Sequence, residues 1–328
     1  MQQSAVKTIR WGIIGLGRIA HSFASDLQKV PYSSLHGVAS RSLAKAEQFA
    51  TSYGVSHYYD SYESLLQNDE VDAIYIATPH VFHKEHTLLS LDFGKAVLCE
   101  KPFAMNADEV ALMIQKAREK NVLLMEALWT AFLPHYQYVL KCINDNSLGE
   151  LKHLNANFCF APELNFEDRV LDKNLGGGAL LDIGIYPIFA ALSSLGIPKD
   201  IKAKATFFDN GADSSCTIRF DYSNAIADLH CSLMETIPSE ATFTFEKGEL
   251  FLHSEFYQTS QITKRRNGVS EHLDFGYQSL GYTYEIEHFN ALLRSGKTES
   301  PIMSFAFSKQ LIGLMDEVRI QIGLKYSK

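Results

Sequence analysis

The chain has 328 residues, 46% hydrophobic and 21% charged, with a formal net charge of -8, which is length enough for two domains, since single cores stop growing near about 250 to 300 residues. The acidic balance, without long like-charge runs, argues against nucleic acid, and the one compact basic cluster, Lys264-Arg265-Arg266, reads as a solvated loop. No apolar stretch approaches the roughly 18 residues of a membrane span and the N-terminal stretch has no signal-peptide apolar region, so a soluble, cytoplasmic protein with no membrane partner is expected.

Five scattered cysteines (Cys99, Cys142, Cys159, Cys216, Cys231) form no C-x-x-C pair and read as reduced packing residues. An apolar strand is expected at 9–14, followed by helical spacing of Ile19, Ala20, Phe23, Ala24 and Leu27 up to Pro31. A strand at 35–39 precedes a helix that Ser42 caps and Gly54 terminates. A strand at 73–77, a helix at 82–93, a strand at 96–99, a helix that Asn106 and Glu109 cap and a strand at 122–125 follow. Such alternation implies a parallel, doubly wound sheet.

The grammar changes near residue 133. A helix at 135–146 gives way to alternating segments at 151–160, 201–208, 215–222, 225–233 and 241–253, with hairpin-like turns at Tyr222-Ser223-Asn224 and Glu246-Lys247-Gly248. Helices at 284–294 and 304–322 close the chain. The expected class is therefore α/β: a dinucleotide-binding Rossmann domain over 1–130, then an α+β domain over 131–328 with an open, mostly antiparallel sheet.

Gly15-Leu16-Gly17-Arg18-Ile19-Ala20 is a G-x-G-x-x-A between the first strand and the first helix. Its glycines allow a tight turn and close backbone approach to a pyrophosphate resting on the helix start. An NAD site would carry Asp or Glu about 20 residues later, where this chain has Ser40-Arg41-Ser42. Arg41 can pair with a 2′-phosphate and the serines can donate hydroxyls, so NADP is expected over NAD, which stays possible. His80, His83 and His86 recur every third residue, but a metal would need His80 turned onto the helix face and a further ligand, so no metal is expected.

These motifs, with Ala77-Thr78-Pro79 and His83, Glu100-Lys101-Pro102, and Gly176-Gly177-Gly178-Ala179-Leu180-Leu181-Asp182-Ile183-Gly184-Ile185-Tyr186 in this order, resemble the glucose-fructose oxidoreductase/inositol dehydrogenase (Gfo/Idh/MocA) family. Met125-Glu126-Ala127-Leu128-Trp129-Thr130 and the glycine-rich segment are most similar to its branch of dimeric trans-dihydrodiol dehydrogenases, which also act as NADP-dependent D-xylose 1-dehydrogenases. The resemblance implies a Rossmann domain, a second domain with a dimer-forming sheet, and Ala77, Thr78, Pro79, His83 and Glu100 near the cofactor. It assigns Lys101, at a strand end fixed by Pro102, the substrate oxygen that gains or loses charge as hydride moves.

Many sugar enzymes of the family carry His where this chain has Tyr186. An unperturbed tyrosine would cost about 4 kcal/mol to ionise at pH 7, so Tyr186 cannot act as an unaided base. A neighbouring Lys101 cation would lower its pKa and burial would raise it, while burial lowers the lysine's. Tyr186 is thus expected as acid/base, Lys101 as stabilising cation or alternate proton carrier, and Asp182, four residues from Tyr186, as the orienting group. By resemblance Trp129 lines the substrate pocket with some of Phe158, Phe160 and Tyr277, each of which also suits a core. Arg169 either binds substrate or tethers its loop.

The reading is an NADP-dependent dehydrogenase of a cyclic diol or aldopyranose. A dehydrogenase of another sugar, inositol or imine-like substrate and a catalytically silent sensor are the alternatives. The substrate itself depends on loops at 161–175 and 256–278. A homodimer through the C-terminal sheet is expected: an isologous dimer is the commonest assembly, two such sheets pack face to face in the resembling dehydrogenases, and a second apolar sheet face would need a partner to bury it.

Overall fold

Apolar runs and capping residues set the order of elements in the computed structural model, which describes residues 6–326. β1 (Ile9–Ile14) leads into α1 (Arg18–Leu27), β2 (Ser33–Ala39) into α2 (Leu43–Tyr53), and β3 (His57–Tyr59) into α3 (Tyr62–Leu66). β4 (Ala73–Ile76), α4 (His83–Asp92), β5 (Ala96–Glu100), α5 (Ala107–Lys120) and β6 (Leu124–Ala127) continue the alternation. Ser42 Oγ accepts from Lys45 N to start α2, Gly54 ends it in the left-handed conformation, and Asn106 Oδ1 accepts from Glu109 N at 2.9 Å to start α5.

Beyond these lie α6 (Pro134–Asn144), β7 (Leu151–Cys159), a π-helical turn (Leu180–Gly184) and α7 (Ile185–Leu195). β8 (Asp200–Phe207), β9 (Asp213–Asp221), β10 (Ile226–Ser232), β11 (Ala241–Phe245), β12 (Gly248–Leu252), β13 (Ile262–Arg266) and β14 (Val269–Leu273) precede α8 (Tyr282–Arg294) and α9 (Phe305–Ile322). The chain divides into two units, 1–129 with 278–308 and 130–277 with 309–328. Sequence reading had assigned everything beyond 130 to the second domain. The buried Asp26 carboxylate explains the return: it accepts backbone N–H bonds from Leu280, Gly281 and Tyr282 at 3.2, 3.0 and 3.1 Å and so anchors the start of α8.

In the first unit the strands run parallel in the order β3-β2-β1-β4-β5-β6. β1, β4, β5 and β6 are buried along almost their whole length, which is why they read as continuous apolar runs. Order reverses between β1 and β4, the position where ligands of such sheets bind, at the carboxyl ends of the strands.

In the second unit the order is β14-β13-β12-β11-β7-β10-β9-β8, antiparallel except between β7 and β10. Period-two alternation buries Cys216, Ile218, Phe220, Ala241, Phe243 and Phe245 on one face. The other face is charged. Arg219 meets Asp221 and Asp228 at 3.0 and 3.3 Å, Lys202 meets Asp221 at 2.8 Å, and His153 Nε2 lies 2.9 Å from Asp228. Among the described residues this face carries paired charges where an apolar surface had been one argument for the homodimer.

Lys264-Arg265-Arg266 is not a solvated loop. It ends β13, which pairs with β12 and β14; Lys264 Nζ donates to Tyr138 Oη at 3.1 Å and Arg265 meets Glu249 at 2.6 Å. β14 is exposed except at its last residue, so it offers no hydrophobic alternation to read.

Candidate active site

Each unit contributes its own constellation. In the first, Gly15 through Ile19, Ser40 to Ser42, Ala77 to Pro79, Glu100 and Lys101 all stand at or just beyond the carboxyl ends of β1, β2, β4 and β5. Gly15 adopts φ +89°, and a Cβ there would lie 2.7 Å from Ala77 C and Thr78 N, so only glycine lets the β1 turn approach the end of β4 so closely. α1 begins at Gly17 with no capping side chain and no acidic residue in its first turn, whereas α2, α3 and α5 are capped by Ser42, Ser61 and Asn106. A Cβ on Gly17 would meet no protein atom within 4 Å, so packing does not demand glycine there, and the open helix start leaves room for a phosphate. These residues fit a dinucleotide.

Ser40 Oγ accepts from Ser42 N at 3.3 Å and Ser42 Oγ is occupied as the α2 cap, which leaves each serine its own O–H to donate. Arg41 is exposed, its guanidinium 6.0 Å from the Phe82 ring centroid. The three residues that follow β2, Ser40-Arg41-Ser42, include no carboxylate. Burial, then Arg41, pushes the nearby His86 down to about 4, and its Nδ1 lies 3.0 Å from Thr78 Oγ1. His83 ties two motifs together, Nε2 at 2.8 Å from Thr78 O and Nδ1 at 2.8 Å from Pro102 O.

The Lys101–Pro102 peptide bond is cis. Glu100 accepts from Lys101 N at 3.2 Å and, through its other oxygen, from Tyr75 Oη. Behind it lie carboxyl groups that sequence reading missed. Glu126 is buried, accepts from Phe103 N at 3.0 Å, and burial pushes its pKa up to about 7. Glu285 of α8 is fully buried with neither oxygen hydrogen-bonded among the described residues, and burial, then Glu100, hold its pKa well above the usual carboxylate range. The available signals were a tyrosine within the buried strand Ala73–Ile76 and an acidic residue on the apolar side of a helix. Trp129 packs on Tyr282 with ring centroids 4.4 Å apart, and its buried Nε1 has no partner among the described residues.

In the second unit the π-helical turn carries Asp182 and α7 begins just before Tyr186, so the expected α-helical spacing is locally replaced by a wider turn, a form frequent at functional sites. Gly178, at φ +130°, would put a Cβ 2.1 Å from Asp213 Oδ1; Asp213 Oδ2 accepts from Leu180 N at 2.6 Å and so starts the turn. Burial raises Asp213 to about 6. Arg169 NH2 donates to both Asp182 oxygens, at 3.1 and 3.3 Å, and the Asp182 side chain is 8% exposed. Of the two roles open to Arg169, the structure gives it a carboxylate partner.

Tyr186 is buried in an aromatic cluster, 5.5 Å from Phe158 and 5.1 Å from Tyr257 by ring centroids, and Phe158 stacks on Tyr257 at 3.9 Å. Phe160 flanks this cluster, 6.1 Å from Phe158. Tyr257 was not foreseen, because it lies in an irregular segment without periodicity. Tyr277, read as core or pocket, instead holds His135, Oη to Nδ1 at 2.6 Å, while His135 Nε2 faces Phe256 O at 2.8 Å and burial pushes the imidazole down to about 4.

Known proteins resemble this chain over nearly its whole length. The family model described as an oxidoreductase family with an NAD-binding Rossmann fold matches residues 9–128, and the GFO/IDH/MocA C-terminal domain matches 136–251. The chain is 34% identical to the trans-1,2-dihydrobenzene-1,2-diol dehydrogenase of Xenopus tropicalis over 97% of this chain and 99% of that protein. It is 32% identical to the human protein of that name over 97% and 98%. Among solved structures, a 3-ketoreductase from Actinomadura kijaniata in complex with NADP and TDP-benzene superposes with a TM-score of 0.86 at 28% identity, covering 96% of this chain and 98% of that one.

Proposed function

This chain belongs to the Gfo/Idh/MocA family of oxidoreductases, and on that premise we propose that it is an NADP-dependent dehydrogenase of a cyclic diol or aldopyranose, of the trans-dihydrodiol or D-xylose type. The observation that carries the cofactor half is the β2 end, where Arg41 stands between two serines and no carboxylate opposes a 2′-phosphate. The substrate half rests on the dihydrodiol dehydrogenase relatives and on the aromatic cluster of Phe158, Tyr186 and Tyr257, whose faces suit a flat diol or the apolar side of a sugar.

Bound NADP supplies the hydride acceptor. Lys101 stabilises the substrate oxygen as it loses its proton, and either Tyr186 or Lys101 carries that proton. Asp182, its charge balanced by Arg169, orients the acid/base. Trp129 offers its indole N–H to a substrate hydroxyl. The first unit holds the dinucleotide; the second supplies substrate contacts and, by family resemblance, the surface of a homodimer. Because the open sheet face is charged, that dimer would form through paired polar groups. Among the described residues no helix is long and apolar enough to cross a membrane, and five unpaired, buried cysteines suit a reducing cytoplasm.

A screen of NADP⁺ reduction against trans-dihydrodiols, pentoses, hexoses and inositols tests the reading. Turnover of a dihydrodiol or D-xylose is expected. Turnover confined to inositols or other polyols would move the chain to the alternative substrate class, and NADP binding without any turnover would make it a sensor.

A further inference from the structure

The charged face of the second unit's sheet, proposed above as the homodimer surface, also carries a group of side chains with no part in the hydride transfer. Cys159, His230 and Glu235 each offer one ligand atom, and these atoms lie within 4.8 Å of one another. Strand register gathers them. β7 and β10 run parallel with Asn157 opposite His230 and Cys159 opposite Ser232, so Cys159 and His230 are diagonal neighbours on one face. Phe158 and Cys231 alternate to the other face, where Phe158 meets Tyr186. The segment carrying Glu235 is fastened to β7 and its continuation: Asn157 Nδ2 donates to Pro238 O at 2.7 Å and Ala161 N to Thr236 Oγ1 at 3.1 Å. Glu235 Oε1 thereby sits 2.7 Å from His230 Nε2.

We propose that Cys159, His230 and Glu235 form a binding site for a divalent cation of the zinc class. A thiolate and an imidazole select such ions over magnesium or calcium, and one carboxylate completes three protein ligands with a fourth position for water. His230 Nδ1 lies 3.3 Å from Thr217 Oγ1. When Nδ1–H donates there, the Nε2 lone pair faces the Glu235 carboxylate, and a cation between them satisfies both. Tetrahedral bonds of about 2.0 to 2.3 Å require ligand atoms roughly 3.4 to 3.6 Å apart, so the imidazole and carboxylate, now 2.7 Å apart, must open slightly, while the thiol, within 4.8 Å of both, has at most about 1 Å to close by side-chain rotation. Binding breaks the Cys159 S–H bond, forms a sulfur–metal bond and releases that proton to solvent. Because binding releases a proton, affinity should increase with pH.

A second group, His36, His57 and Glu70 in the first unit, provides an internal control. It offers no thiolate, and Arg10 NH1 holds Glu70 Oε1 at 3.2 Å, placing a competing positive charge at the ligand. The sequence signals neither group, because strand register rather than motif spacing brings the residues together.

The test uses the full chain after chelator treatment, with Zn²⁺ followed by calorimetry and Co²⁺ by absorption. One equivalent should bind, with a thiolate-to-cobalt charge-transfer band and a buffer-dependent heat that reports the released proton. Cys159→Ser should abolish the band and weaken Zn²⁺ at least about 100-fold, beyond the 10- to 100-fold typical of residues that only support a ligand. Glu235→Gln, on an exposed residue where folding is not at risk, should weaken Zn²⁺ at least about tenfold and retain the band. His57→Gln should change neither. Absence of saturable binding in the micromolar range, unchanged affinity in Glu235→Gln, or loss of binding in His57→Gln would overturn the site.

Discussion

Arg41→Ala is the substitution that separates the cofactors. Arg41 is the charged group at the end of β2, and Ser40 and Ser42, already engaged as acceptors, can each add a neutral donor. A charged hydrogen bond to a phosphate is worth about 1.5 to 3 kcal/mol, or about 10- to 150-fold in Kd. Exposure of Arg41 lets solvent and salt screen that pair, so the lower end, about 10- to 30-fold, is expected for NADP at physiological ionic strength. NAD has no 2′-phosphate to lose a partner, and the guanidinium's contact with Phe82, at the outer limit of cation–π range, is common to both states, so its affinity should change less than about threefold. Titration by calorimetry or nicotinamide fluorescence measures both constants, and raising salt should shrink the wild-type preference for NADP. Equal losses for the two cofactors would refute the assignment.

Arg169→Ala leaves Asp182, almost entirely buried, without its guanidinium. A fall of about 10- to 100-fold in kcat/KM is expected, with an acid limb of the pH profile moved upward as the carboxyl becomes easier to protonate, and partial rescue by Arg169→Lys; an unchanged profile would make the pair a loop tether only. Glu126 has a folded pKa raised to about 7, so its contribution to stability is full below its unfolded value near 4.3 and is lost as pH rises through 7, on the order of 2 to 4 kcal/mol. Glu126→Gln should therefore flatten the decline in thermal midpoint between pH 5 and pH 8, and an equally steep decline would contradict that burial. Light scattering should return twice the 36.8 kDa chain mass, and Arg219→Glu should shift the particle toward the monomer; a wild-type monomer at micromolar concentration would remove the dimer.

The first unit was legible because its chemistry is local. Buried parallel strands read as short apolar runs, Ser42 and Asn106 announce helix starts, and the glycines after β1 need no distant partner to be understood. What escaped depends on contacts between distant residues. Nothing around Asp26 reveals that its carboxylate will collect three amides from 280–282, and so that α8 joins the first unit. β3 has three residues and β14 is almost wholly exposed, so neither carries a hydrophobic period, and Lys264-Arg265-Arg266 looked solvated because its partners Tyr138 and Glu249 are far away in sequence. At the site, Glu100, Lys101, Asp182 and Tyr186 stand in recognisable motifs. Glu126 lies inside one too, but nothing in that motif shows that its carboxyl is buried; Tyr75, Glu285 and Tyr257 lie outside every motif, and their surroundings depend on other elements.

The central claim, hydride transfer from a hydroxyl-bearing carbon with Lys101 and Tyr186 in the chemistry, is tested most directly with a diol or D-xylose deuterated at that carbon. Mass spectrometry of the reduced cofactor should find the deuterium on the nicotinamide, with a slower turnover than for the unlabelled substrate when hydride transfer limits the rate. Lys101→Met should form no labelled product while still binding NADP, and Tyr186→Phe should form it about 10² to 10⁴-fold more slowly. Reduced cofactor without the label, or rates within a few-fold of wild type in both variants, would contradict the account.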